Sequence, residues 1–221
     1  MSEAVSRVRL GPIQNPVRGV LQVGAALLAA ATTVEFAMAH GVASEVRTAL
    51  LTFAVTAVAL FTVSTAYHVL PWSPLWKRRM QRTDHAMIYF QIAGATTAFA
   101  VVALRDAERE LLIGAAWAIA VIGAAQKTWL PHIHEKASIP FQVLQALLGV
   151  PALLAFSERF PDRTPELVLA CSLYSTGAVI FVSGRPRLWP RVFSFHELFH
   201  VMIVAGYCLI WVLLSDALRG A

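Results

Sequence analysis

Seven stretches of about twenty mostly apolar residues dominate the chain, and each is long enough to cross roughly 30 Å of hydrocarbon as a helix. They cover residues 18–39, 48–70, 85–104, 110–130, 138–157, 166–184 and 192–214 of the 221. In lipid, backbone N–H and C=O groups must be satisfied inside the segment or in a closed barrel. No ten-residue apolar/polar alternation recurs, so the spans are expected to be helices. The fourth span has a short uninterrupted core, 111–125, before Gln126 and Lys127 intervene. The fifth carries Pro140 and Pro151, which a membrane helix tolerates when neighbours satisfy the freed carbonyls. The expected fold is an all-α, polytopic seven-transmembrane helix bundle. Residues 1–16 form its N-terminal segment, 17–215 the membrane domain and 216–221 a tail.

Composition excludes the main alternatives. Hydrophobic residues make up 57% and charged residues 14%, against about 45–50% and about 25% in soluble domains. Two cysteines, Cys171 and Cys208, lie inside apolar runs, which excludes a disulfide scaffold and a cysteine-ligated zinc ribbon. A formal charge of +5 does not point to nucleic acid, because the basic residues sit in gaps between spans and form no stripe with aromatics. Ala37-Met38-Ala39 mimics a signal-peptidase site. The run before it is longer than the usual 7–15-residue signal core and is interrupted by Gln22 and Glu35, so the first span is expected to be retained.

With seven crossings the gaps fall into two sets. The N-terminus with gaps 71–84, 127–137 and 185–191 holds 12 of the 18 Lys and Arg residues. The other set holds 6, together with most of the acids, among them Glu45, Glu108, Glu158 and Asp216. The positive-inside rule then predicts a cytoplasmic N-terminus and an external C-terminus in the cell inner (plasma) membrane.

Ionisable groups at membrane depth are costly and mark functional sites by default. Under this topology His68 lies near the cytoplasmic end of span 2, Asp84 opens span 3, and His196 and His200 fall in the first turns of span 7. Positions i and i+4 share a helix face with Cβ atoms roughly 5–6 Å apart, which suits His196 and His200 to one metal. His68 as a third ligand leaves tetrahedral zinc with an open position for water, the catalytic pattern. Histidine ligands without cysteine favour Zn2+ or another divalent metal over an iron–sulfur cluster. Asp84 is placed to orient the water or accept its proton, and Ser64, one turn before His68, to hydrogen-bond water or a substrate carbonyl.

Each of these residues also has a plainer reading. His68 alone could be an interhelical hydrogen-bond partner, Asp84 alone a helix N-cap after Thr83, and Ser64 alone a small packing residue. His85, about 100° around the helix from Asp84, reads as an interfacial side chain, and Glu35 as a group reaching water near the outer end of span 1. His132 and His134 read as solvated in a gap. Trp72, Trp76, Trp129, Trp189 and Trp211 read as interfacial anchors, and the two cysteines as small core residues.

Taken together the motifs resemble a known family. Ser64-Thr65-Ala66-Tyr67-His68 is similar to the S-x3-H motif of the hemolysin III and progestin/adipoQ receptor (PAQR) proteins. The run from Asp84-His85 through Ile88-Tyr89 to Ile92-Ala93-Gly94 is similar to their D-H-x2-I-Y-x2-I-A-G signature, and His196 to His200 to their closing H-x3-H. The similarity extends from about Asn15 to Leu214. It implies a seven-helix fold with a cytoplasmic N-terminus, a zinc held by His68, His196 and His200, and Asp84 reached through water. The wider superfamily includes alkaline ceramidases, which implies metal-dependent hydrolysis of a lipid amide; bacterial members are linked to membrane-fluidity homeostasis. Two departures stand out. Asn15-Pro16-Val17-Arg18-Gly19 has Arg where the family's N-x-x-H-G has His, and Ala95-Thr96-Thr97-Ala98 lacks the usual tyrosine and proline. Neither is expected to touch the proposed ligands; they bear on the substrate entrance and the geometry of helix 3, not on the metal.

Four functions compete on this reading. The leading one is a zinc-dependent hydrolase of a membrane lipid with Asp84 as base. The alternative is a non-enzymatic sensor or receptor-like protein in which zinc is structural and lipid is a ligand. A third takes His196-Glu197-x-x-His200 as a metalloprotease motif with Glu197 as general base. Against it, the only later carboxylate, Asp216, lies 20 residues beyond His196, or roughly 30 Å along a helix. A pore-forming toxin ranks last, because nothing in the chain is amphipathic enough to insert from water.

Overall fold

The computed structural model describes residues 9–10, 13–129, 135–189 and 192–219; His132, His134 and both ends of the chain lie outside them. A short antiparallel pair, β1 (Arg9–Leu10) and β2 (Ile13–Gln14), precedes the helices. Then follow α1 (Pro16–Met38), α2 (Ser44–Val69), α3 (Pro74–Ala103), α4 (Asp106–Trp129), α5 (Glu135–Leu148), α6 (Val150–Arg159), α7 (Thr164–Ser183) and α8 (Phe195–Arg219). Among the described residues seven helical spans are long and apolar enough to cross a membrane. One of them is α5 continued by α6, and another is α7 with the 3-10 turn Pro161–Arg163 ahead of it.

The helix ends follow elementary rules. Pro16 and Pro74 stand in the first turns of α1 and α3, where a missing N–H costs nothing. Asp106 and Glu108 open α4, at the positive end of its dipole. The α5–α6 break falls at Gly149, just ahead of Pro151, which lacks the N–H an unbroken helix requires. The chain turns there through 3-10-type bonds, Gly149 N–H to Ala146 O at 3.1 Å and Ala152 N–H to Gly149 O at 3.1 Å.

The largest difference from the sequence reading is at α3. It begins at Pro74, not near residue 85, and Ser73 occupies the N-cap position. Lys77, Arg78, Arg79 and Arg82 end the apolar run but are good helix formers, so polarity marked the edge of hydrocarbon and not the edge of the helix. Asp84 is therefore no cap. It lies ten residues inside α3, buried at 7% exposure.

In the bundle α1 packs against both α2 and α8, while α3 packs against α2 and α4 and also reaches α5, α6 and α8. Lipid tails are as apolar as leucine, so packing and polar contacts, not water exclusion, hold such helices together. At the centre Tyr207 of α8 stacks on Phe53 of α2, centroids 5.2 Å apart, and meets Phe61 edge-on at 5.4 Å. Gly94 lets α3 lie directly on α2, because a Cβ there would collide with the Thr56 hydroxyl and press on Phe53. The Thr56 hydroxyl donates to Gln91 Oε1 at 2.8 Å across the same contact. Gln145, wholly buried, donates to the carbonyls of Tyr89 and Ala116 at 3.0 Å each and so ties α5 to α3 and α4. Leu27, Val121 and Val179 point outward, a surface suited to lipid. Cys171 is exposed on α7 rather than packed in the core.

At the end where α1 finishes, Trp211 Nε1 donates to Glu35 Oε2 at 2.7 Å, and Arg163 pairs with Asp216 at 2.8 Å. The candidate site residues gather at the opposite end, where α1, α3 and α8 begin and α2 finishes.

Candidate metal centre

His68 stands in the last turn of α2, and the α8 register puts His196 and His200 on one face in its first two turns. Ring centroids are 5.2 Å apart for His68–His196, 5.1 Å for His68–His200 and 4.9 Å for His196–His200. One nitrogen from each ring lies within 4.8 Å of the other two, close enough to share an ion. His68 and His200 are buried and His196 is half-buried. The Nε2 atoms of His68 and His200 are buried and have no hydrogen-bond partner. A buried polar atom left unsatisfied costs about 1–3 kcal/mol. Two of them on rings that crowd into one group of imidazoles fit a bound divalent cation.

Asp84 and Ser64 are also buried at this end of the bundle, at 7% and 3% exposure, and their side chains neighbour one another. Asp84 is not in the close nitrogen group, which is formed by the histidines. Lys77 and Arg18 stand within electrostatic reach of both His68 and Asp84. The Lys77 ammonium also reaches the Tyr67 carbonyl. His85, on a different face of α3 from Asp84, is half-buried with its ring 6.3 Å from that of Phe181 on α7.

The helix that sequence reasoning left out of the site is α1. Arg18, the residue that departs from the family's histidine, is buried and donates from Nε to Glu197 Oε1 at 2.7 Å. Glu197 Oε2 accepts from the Ser194 backbone N–H at 2.8 Å. Both carboxylate oxygens are therefore engaged, the second in one half of a capping box that opens α8. One turn after Arg18, the Gln22 carboxamide is in direct hydrogen-bond contact with His200 Nδ1. Asn15 reaches toward the His68 carbonyl, Nδ2 to O at 3.5 Å. The 15–19 departure thus lies against the histidine cluster, not away from it. Ser194-x-x-Glu197 was a readable signal of the cap, but nothing local in the sequence pairs Arg18 or Gln22 with α8.

Fold and site together define a multi-pass membrane protein with a buried three-histidine group, able to hold a metal ion, at one end of a seven-span bundle. The profile of the haemolysin-III related proteins matches residues 13–211, and the chain belongs to that family. It is 26% identical to Hemolysin-3 of Bacillus cereus over 223 aligned positions, which cover 98% of this chain and 96% of that protein.

Proposed function

We propose that the chain is a zinc-dependent hydrolase of a membrane lipid amide, acting in membrane homeostasis, with His68, His196 and His200 as the metal ligands. The observation that carries this reading is the pair of orphaned Nε2 atoms within a group whose nitrogens can share one ion. When bound, a divalent cation with three protein ligands and an open position supplies Lewis acidity and brings the pKa of water to about 7. Asp84, buried next to Ser64, is the base: its carboxylate takes a proton from water and returns it to the leaving amine. Ser64, whose hydroxyl meets Asp84, turns that hydroxyl to the water or the attacked carbonyl when substrate binds. Glu197 is not the base, because Arg18 and the Ser194 N–H occupy its oxygens; this argues against the protease reading.

The orientation belongs to the same proposal. The basic residues favour the histidine end on the cytoplasmic side of the inner membrane, with residues 1–16 inside and 216–221 outside. Reporter fusions at the two ends of the chain test it. The decisive experiment for function is metal analysis of the purified protein beside a His68/His196/His200 triple variant, with release of fatty acid from a fluorescent ceramide as the activity readout. Stoichiometric zinc in the wild type alone and turnover lost in His196→Ala support the reading. A metal-free wild type, or turnover that survives His196→Ala, ends it.

A second reading has its own support. The histidines join α2 to α8, two helices that meet mainly through side chains such as Phe53, Phe61 and Tyr207. A structural zinc clamping them suits a lipid sensor. In that case zinc removal lowers thermal stability, and no lipid is turned over.

A further inference from the structure

A neutral histidine that binds metal through Nε2 carries its proton on Nδ1 and almost always donates it to an acceptor. His200 Nε2 is the buried orphan, and the group against His200 Nδ1 is the Gln22 carboxamide. As placed, Gln22 turns its nitrogen toward that ring and leaves its own Oε1 buried without a partner. The two ends of a carboxamide are nearly isosteric. Turned over, Oε1 accepts the Nδ1–H, and the buried Nε2 of His200 is left with a free lone pair. A single rotation thus gives the orphaned oxygen a donor and puts the imidazole in its ligating tautomer, with the carboxamide nitrogen taking the oxygen's former place.

We infer that Gln22 is a positioning residue of the metal centre, holding His200 through an Nδ1–H···Oε1 bond in the tautomer and orientation that present Nε2 to a divalent cation. The inference rests on the metal-centre reading above. It assigns α1 a share in the site through its face at 18 and 22, four residues apart and both directed to α8. Arg18 holds Glu197, and Gln22 holds the ligand three residues further on. It makes Gln22 more than a polar interruption of an apolar helix.

The test titrates purified full-length protein with Zn2+ against a competing chelator, for wild type, Gln22→Met and Gln22→Glu, and follows thermal unfolding of each metal-free protein. Gln22→Met keeps length and packing but has no acceptor, and its affinity should fall by about 10–100-fold with the metal-free melting point unchanged. Gln22→Glu keeps an acceptor oxygen and should match or exceed wild-type affinity; a role in packing alone predicts that a buried carboxylate does worse than methionine. Equal Zn2+ affinity in Gln22→Met and wild type overturns the inference, as does a folded Gln22→Glu no better than Gln22→Met. If Gln22→Glu does not fold, the Co2+ absorption spectrum of saturated Gln22→Met decides, an unchanged spectrum overturning and an altered one supporting. A wild type that takes up no Zn2+ or Co2+ sinks the metal-centre reading itself, an outcome distinct from a loaded wild type indistinguishable from its Gln22 variants.

Discussion

Arg18 of α1 and Glu197 of α8 form a buried ion pair, Nε to Oε1 at 2.7 Å, between residues 179 positions apart in sequence. Both side chains are more than nine-tenths shielded, so neither charge can turn to water when the other is removed. The pair fixes the start of α1 against the turn of α8 that lies between His196 and His200. It therefore links the first helix of the bundle to the last at the point where the site is built.

Arg18→Leu should destabilise the protein by about 3–5 kcal/mol, because it takes the guanidinium away from a buried carboxylate. The double variant Arg18→Leu/Glu197→Leu should recover most of that loss, since removing both charges also removes their desolvation penalty. Thermal unfolding in detergent through the full double-mutant cycle measures the coupling. Additive losses would show that the two charges do not depend on each other.

Zinc removal should lower the melting point of wild type and leave the triple histidine variant unmoved. At free metal about 1,000 times above Kd the stabilisation amounts to about 4 kcal/mol. Each single substitution, His68→Ala, His196→Ala or His200→Ala, should abolish most of the zinc-dependent shift. Calorimetry with and without chelator, beside metal content by mass spectrometry, checks both parts.

Asp84→Asn should keep zinc stoichiometry while lowering turnover by about 10²–10⁴-fold, the range for loss of a positioned base. Ser64→Ala should have a smaller effect of the same sign. Glu197→Gln should retain metal-dependent turnover per folded, metal-loaded molecule. Rates on a fluorescent lipid amide, normalised to bound zinc, distinguish these outcomes.

Gly94→Val should destabilise the bundle by about 1–3 kcal/mol or more through overpacking, since its side chain would meet the Thr56 hydroxyl and the α2 backbone. Gly24→Ala, at a position with open space around it, should be neutral or slightly stabilising. Unfolding midpoints in detergent for the two variants give the contrast.

Much of the architecture was legible in the sequence because lipid imposes a one-dimensional rule: about twenty apolar residues per crossing, whatever they pack against. The seven spans follow from it. The ligand-competent pair His196 and His200 was equally legible, since i, i+4 spacing sets a shared face without reference to the rest of the chain. The start of α3 was not. A hydropathy pattern reports where hydrocarbon ends, and the basic first turns of α3 continue the helix beyond that point, which turned an interior Asp84 into an apparent cap.

The parts of the site that escaped the sequence are those defined by neighbours from distant segments. Gln22 read only as a break in an apolar run, and Arg18 only as one of the basic residues that set the orientation and as a departure from a family motif. Their meaning lies in contacts with His200 and Glu197, 178 and 179 residues away. A buried polar side chain takes its role from the partner that satisfies it, and for these two that partner is supplied by the packing of α1 on α8. Local periodicity and composition carry no record of that packing, whereas they carry a full record of which segments prefer lipid to water.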